Sequence, residues 1–373
     1  SDSILIFDEA HLMPQDYLQP CLQAIAYITR YLHSEAVLLT ATMPDYDKLM
    51  KEYALSASRI VNLIEDTSAF SLFQKCRFSY IGKVEISQLL ERSGQAPTSL
   101  IIVNRKASAR KLYQSCSGRK YHLSTYMTPY DRKRILNEIR QELLQLEKDY
   151  PGYKNVPEER KITIISTSLI EAGVDLDVHT VFRERSGLDS ILQAGGRCNR
   201  EGKRAQTDVY VFDLEDDAVR RTVDERSNLT KGLLQKYPDI SAPECIKEYY
   251  LRLFFMKKDE IQKNTMHKIC TDIQSIPFKR YAEKFELIDS RTVSLVVPRD
   301  EQSKKLVEAL RYTKAGDGRQ LQNYTCSLHQ KELNDLILQH AADDYGTGIF
   351  CLTNTDYYDE NMGVIFEAQD YFL

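Results

Sequence analysis

The sequence predicts an α/β protein with parallel strands, followed by a helical segment and a small α+β tail. Three observations predict it. Short continuous apolar runs such as Ile162-Thr163-Ile164-Ile165 alternate with segments of helical periodicity, the pattern of parallel strands buried on both faces. Some of these runs stop abruptly at polar or acidic residues, at the carboxyl end where open α/β sheets place their chemistry. The texture then changes twice, at Glu215-Asp216-Asp217 to a charged helical stretch and from Ile276 to short mixed elements. The expected division is therefore 1–66, 67–215, 216–275 and 276–373.

Taken in order, Ser3 to Phe7 is an apolar run read as a buried strand, and Leu18, Leu22, Ile25, Ile28 and Leu32 recur at helical spacing. Ala36 to Thr40 is the next strand and Arg59 to Leu63 one more, so the first segment supports three strands. Its sheet edge is expected to be covered by something or poorly ordered. Gly94-Gln95-Ala96-Pro97 marks a turn, and Ser99 to Asn104 a second buried strand. Arg105 to Lys120 is basic and helical in its first part, and a solvated face suits it better than a nucleic-acid groove. Tyr121 to Thr125 reads as a short strand. Thr128-Pro129 opens a helix with a stripe of Ile135, Ile139, Leu143 and Leu146. Strands follow at 162–166, 180–183 and 208–214. In the helical stretch, Ile246, Tyr249, Tyr250, Leu253 and Phe254 form an apolar group that docks a linker on the rest. The tail predicts strands at 292–297, 323–328 and 346–352, helices at 301–312 and 330–340, and a turn around Asn361-Met362-Gly363 before Val364 to Phe366.

The chain has 373 residues, enough for two or three domains, with Lys+Arg 50 against Asp+Glu 54 and a net charge of -4. Any nucleic-acid contact must then come from a local basic groove. No apolar run is long enough to span a bilayer, and no signal peptide is visible. Eight cysteines without CxxC spacing read as reduced thiols in a cytoplasmic setting, and no histidine pair at helical spacing points to zinc.

Four stretches carry chemistry. Asp8-Glu9-Ala10-His11 puts two adjacent carboxylates at a strand end, which suits magnesium plus water: Asp8 for the ion, Glu9 for the attacking water. The hydroxyls of Thr40 and Thr42 are placed to relay to His11, although simple strand-end capping explains them too. In Ser166 to Asp177, Gly173 permits a tight turn and Asp175 can accept from a ribose hydroxyl or an arginine. Ser166 and Thr167 there offer hydroxyls and amides to a nucleic-acid phosphate. Ile191 to Arg200 holds Gln193, two glycines, Arg197 and Arg200. Three apart on a helical turn, the arginines would point together as a clamp for a triphosphate, and Gly195-Gly196 would admit a backbone or phosphate. Alone, an arginine pair fits a solvated helix face equally well.

In this order, Asp8 to His11, Thr40 to Thr42, the Gly173-Val174-Asp175 turn and Gln193 to Arg200 resemble motifs II, III, V and VI of superfamily 2 helicases. His122 to Arg132, Ser168 to Asp175 and Gln193 to Arg200 narrow the resemblance to the helicase-nuclease of type I CRISPR systems, and Tyr358 to Gly363 resembles that family's C-terminal domain more loosely. The resemblance implies a partial RecA-like lobe, a complete RecA-like lobe, a helical linker and an accessory C-terminal domain. It implies that Asp8 and Glu9 serve magnesium and water, that His11, Thr40 and Thr42 couple ATP state to DNA, and that Thr167 touches the DNA backbone. Gly173, Asp175 and Gln193 would bind the nucleotide, with Arg197 and Arg200 stabilising charge at the γ-phosphate. The implied cofactors are ATP and magnesium; the implied partners are single-stranded DNA and an RNA-guided surveillance complex.

No G-x-x-x-x-G-K-[ST] loop occurs in the chain, and the family's nuclease domain is not in it either. The expectation is a C-terminal piece of a longer protein that hydrolyses ATP negligibly by itself. Two other readings stay open: a different superfamily 2 DNA or RNA helicase, and a non-catalytic interaction module that binds the surveillance complex or an anti-CRISPR inhibitor.

Overall fold

The computed structural model describes residues 2–40, 42, 44–54, 60–64, 76–171, 174–204, 207–215, 224–261, 279, 282–283, 292–312, 318–345 and 348–366. The chain divides into two compact units: residues 1–74, 185–193 and 221–289 form the first, and 75–184, 194–220 and 290–373 the second.

The first unit opens with β1 (Ile4–Phe7), α1 (Leu18–Tyr31), β2 (Glu35–Leu38) and α2 (Tyr46–Tyr53). β1 and β2 pair in parallel, Ile4 opposite Glu35 through Phe7 opposite Leu38. Phe7, Ala36 and Leu38 pack with Leu18, Leu22 and Ile25 of α1 and with Leu49 and Tyr53 of α2. The opposite face of β1 is bare, with Ile4 66% and Ile6 65% exposed. The strand was expected to be buried, and its sheet edge covered or poorly ordered; among the described residues Ile4 and Ile6 are exposed, so the expectation of a buried strand does not hold. Strand side chains alternate, so a sheet with helices on one side buries only every second residue. The expected strand at 59–63 is also absent: residues 60–64 are irregular, and Arg59 lies outside the described residues.

The second unit is built on six parallel strands, as expected for an α/β fold. Its elements are β3 (Cys76–Val84), α3 (Ile86–Gln95), β4 (Thr98–Val103), α4 (Lys106–Ser115), β5 (Arg119–Leu123), α5 (Pro129–Asp149), β6 (Ile162–Thr167) and β7 (Thr180–Glu184). After α6 (Leu188–Gly195), β8 (Thr207–Leu214) completes the sheet in the order β3-β8-β7-β4-β6-β5. Every residue of β4 and β6 is buried. Leu100 and Ile102 of β4 join the α5 stripe of Ile135, Ile139, Leu143 and Leu146. Ile101 and Val103 point the other way, to Leu89 of α3 and Ala109 and Leu112 of α4. Thr128 caps α5 by accepting from the Asp131 amide, with Pro129 in the first turn, as its sequence predicts.

The helical stretch forms α7 (Glu225–Lys236) and α8 (Pro243–Met256), which belong to the first unit. The tail forms a four-stranded mixed sheet of β9 (Thr292–Val296), β10 (Thr325–His329), β11 (Ala342–Asp344) and β12 (Phe350–Leu352), then the short pair β13 (Tyr358–Asp359) and β14 (Gly363–Val364). Helices Glu301–Tyr312 and Gln330–Leu338 fall where expected. β11 was not foreseen.

This tail is bonded to the parallel-sheet domain. Tyr126 sits in the tail's core with Leu295, Leu328 and Leu333. Buried Asp131 accepts from Tyr358 at 2.7 Å and from Arg299 Nε at 2.8 Å. Gly363 lies against the Tyr126 backbone at φ +82, where an added Cβ would come within 2.4 Å of it, so only glycine fits. No helix among the described residues is long and apolar enough to cross a membrane.

Candidate functional site

The acids at the end of β1 stand on a strained turn. Glu9 adopts the left-handed region at φ 49, a conformation disfavoured for a branched-free but Cβ-bearing residue and held only when its surroundings enforce it. The Asp8 carboxylate accepts the Glu9 amide at 3.0 Å, and Asp8 is exposed. An exposed carboxylate at a strand end fits a hard cation that keeps most of its waters. Among the described residues there is no cluster of three or more His, Cys, Asp or Glu that would enclose a metal by itself.

His11 is buried and forms a junction. Its Nδ1 lies 2.7 Å from the Thr40 hydroxyl and its Nε2 3.2 Å from the Gln193 side-chain amide, 182 residues away in sequence. The Thr40 hydroxyl donates to the Thr42 carbonyl and accepts from the Thr42 amide. With its own proton committed, it accepts from His11, so Nδ1 carries the hydrogen and Nε2 accepts from Gln193. Burial lowers the His11 pKa, opposed by Glu9, whose carboxylate is 3.4 Å from Nδ1, and by Asp189. The ring is therefore neutral at pH 7, as this donor–acceptor chain requires.

The structure thus brings Glu9, His11, Thr40 and Gln193 together inside the first unit. Thr42 turns elsewhere: its buried hydroxyl meets the Tyr250 hydroxyl of α8 at 3.0 Å. Gly173 lies outside the described residues. Thr167 is buried at the end of β6, and the Ser166 hydroxyl is spent on the carbonyls of Leu123 and Thr167.

The arginines differ from expectation. α6 ends at Gly195, so Arg197 and Arg200 lie in the turns beyond it and do not share a helical face. Arg197, 8% exposed, donates to the carbonyls of Ile170 at 3.3 Å and Glu171 at 2.7 Å. Arg200 pairs with Asp175 at 3.0 Å on the surface of the second unit. A bridge between Val178 and Cys198, and Asn199 at φ 50, fix the turn that separates them. Gly195 does admit a close neighbour, but that neighbour is the Phe78 ring, 2.5 Å from where a Cβ would sit.

Sequence reasoning missed the groups that hold these residues. Glu171 offers its carbonyl to Arg197 and its carboxylate to Arg183 Nε at 2.9 Å, an ion pair with side chains 8% and 2% exposed. Arg183 also donates to Asn104 Oδ1 at 2.7 Å. In the first unit, Tyr249 donates to Asp189 at 3.0 Å at the start of the helix that bears Gln193. A charged residue inside an apolar strand (Arg183 in Thr-Val-Phe-Arg) was the one available signal for the first group. Tyrosines at helical spacing read as plain core.

Comparisons with known proteins show what the sequence and the fold are similar to. Residues 95–203 match the family described as "CRISPR-associated nuclease/helicase Cas3, C-terminal". The chain is 44% identical over 96 residues to the CRISPR-associated nuclease/helicase Cas3 of Haloferax volcanii, covering 25% of this chain and 9% of that protein. It is 25% identical over 222 residues to the CRISPR-associated helicase Cas3 of Thermoproteus tenax, covering 58% of this chain and 35% of that protein. The crystal structure of T. fusca Cas3-AMPPNP superposes with a TM-score of 0.61 at 13% identity, over 97% of this chain and 54% of that one. The chain therefore spans about a third or less of the curated relatives' length. Over the matched stretch the sequence is similar to the C-terminal part of Cas3, and the fold of the chain is similar to that of T. fusca Cas3.

Proposed function

We propose that the chain is the C-terminal part of an ATP-driven translocase on single-stranded DNA, recruited by an RNA-guided surveillance complex to degrade foreign DNA with a nuclease domain elsewhere in the protein. The single observation that carries the reading is the His11 junction. Residues from three distant stretches meet on one neutral imidazole, which is what passing a signal between a hydrolysis site and a DNA-binding surface requires. The family match and the nucleotide-bound relatives support ATP as the fuel.

In this reading Glu9 orients or deprotonates the attacking water, and Asp8 is the residue that would hold magnesium. The ion supplies charge neutralisation at the phosphates. His11 senses the state of Glu9 and relays it through Thr40 and Gln193. Arg197 and Arg200 are the candidates to place positive charge at the nucleotide, once Arg200 leaves Asp175 and Arg197 leaves the Ile170 and Glu171 carbonyls, with Gly173 and Asp175 as further candidate nucleotide contacts. Thr167 contributes to the grip on the DNA backbone, a salt-sensitive contact. The four-segment division at 66, 215 and 275 belongs to the same proposal.

The test is ATP hydrolysis by the intact gene product that carries this chain. Single-stranded DNA should stimulate it, and Glu9→Gln should lower kcat on the order of 100-fold or more while leaving DNA binding in place. The 373-residue chain by itself should turn over negligibly, because it carries no phosphate loop. Absence of DNA-stimulated hydrolysis in the intact protein would overturn the proposal. The bare face of β1, with Ile4 and Ile6, favours a second reading, an interaction module for the surveillance complex or an inhibitor protein. Retained binding to the complex with no ATPase would select it.

A further inference from the structure

His11 can reach Thr40 and Gln193 at once only if the strand end after β2 and the helix α6 are held at a fixed separation. Something other than His11 must set that separation, since a single imidazole in two hydrogen bonds is a weak strut. α8 supplies it. Tyr249 and Tyr250 are neighbours in a helix, where successive side chains diverge by about 100°. They therefore reach two different elements. Tyr250 meets the Thr42 hydroxyl at 3.0 Å, and Tyr249 donates to Asp189 at 3.0 Å, four residues before Gln193.

All four residues are buried. The two rings contact each other edge to face, 5.1 Å apart, and Tyr250 stacks on Phe254 at 5.8 Å, so neither ring can turn alone. Asp189 is also paired with Arg226 of α7 at 3.5 Å. Gly187 makes room for this cluster, since an added Cβ there would stand 2.9 Å from the Tyr249 hydroxyl.

We infer that Tyr249 and Tyr250 are positioning residues that hold the Thr40–Thr42 turn and the Gln193 helix in register, so that His11 serves both. The segment bearing α7 and α8 is then part of the coupling apparatus and more than a spacer. This inference rests on the translocase reading above.

The test uses DNA-stimulated ATP hydrolysis by the intact gene product. Tyr249→Phe, Tyr250→Phe and Thr42→Val remove one hydroxyl each and keep the shape closely. The double variant Tyr249→Phe/Tyr250→Phe should lower the DNA-stimulated kcat about tenfold, with KM for ATP within about twofold and a melting temperature near that of the wild type. Thr42→Val/Tyr250→Phe should be no worse than either single change, because both cut the same tie. Should Tyr249→Phe fail to fold, Thr42→Val and Tyr250→Phe carry the test from the other side. Strictly additive losses for Thr42 and Tyr250, or a double tyrosine variant with wild-type kcat, would overturn the inference alone. A wild type without hydrolysis sensitive to Glu9→Gln would bring down the translocase reading and this inference together.

Discussion

β4 and β1 are both short apolar strands in parallel sheets, yet they live differently. β4 has neighbours on both edges and helices on both faces, and all six of its residues are buried. Among the described residues β1 has one neighbour and one covered face, with Ile4 and Ile6 exposed. The difference teaches that an apolar run reports how much burial a strand can use, while its partners decide how much it receives. It also separates two kinds of chemistry. The wide sheet buries an ion pair, Arg183 with Glu171, deep behind its strand ends. The narrow sheet carries its acids on the turn that follows β1, with Asp8 exposed and Glu9 half-buried.

The largest expected break in this contrast is Arg183→Met. It leaves the Glu171 carboxylate buried without its cation and should cost about 3–5 kcal/mol, read as lost hydrogen-exchange protection in β4 and β7. Adding Glu171→Leu should restore most of it, since a matched apolar pair avoids the desolvation cost. Next comes a paired truncation. Ile101→Ala in β4 should cost about 3 kcal/mol, whereas Ile6→Ala in β1 should change stability by about 0.5 kcal/mol or less. Equal effects would mean that β1 is covered in solution.

The smallest effect is acid sensitivity. His122, fully buried beside Arg110, has its pKa pushed down to about 3, chiefly by burial. Its folded pKa lies below the unfolded value of about 6.5, so the unfolded chain takes up the proton first. Stability is full above pH 6.5 and falls as pH drops toward 3, by about 1.4 kcal/mol at pH 5.5. His122→Leu should flatten that loss in the second unit while the first unit keeps the slope that His11 gives it, as resolved by exchange at β6 and α1.

Much of the fold was legible. The runs Thr98 to Val103 and Ile162 to Thr167 announce strands covered twice, and the four-residue stripe of α5 announces its buried side. β3 escaped because Arg77, Ser79 and Lys83 interrupt its apolar residues and Gly82 breaks the pattern at a register shift. In the candidate site, the acids and His11 were legible from their place at a strand end. The arginine pair was misread because helical spacing was carried through Gly195-Gly196, where the helix stops. Glu171, Tyr249 and Tyr250 were invisible for a common reason: their importance lies in which distant group they face, and no local pattern encodes that.

One property of β1 reaches further. Isoleucine, leucine, isoleucine and phenylalanine in succession give the two sides of the ribbon the same oiliness, so the segment carries no inner and outer label of its own. Whatever settles against it first assigns the label. A molecule approaching from the side of Ile4 and Ile6 would meet a surface already suited to being an interior.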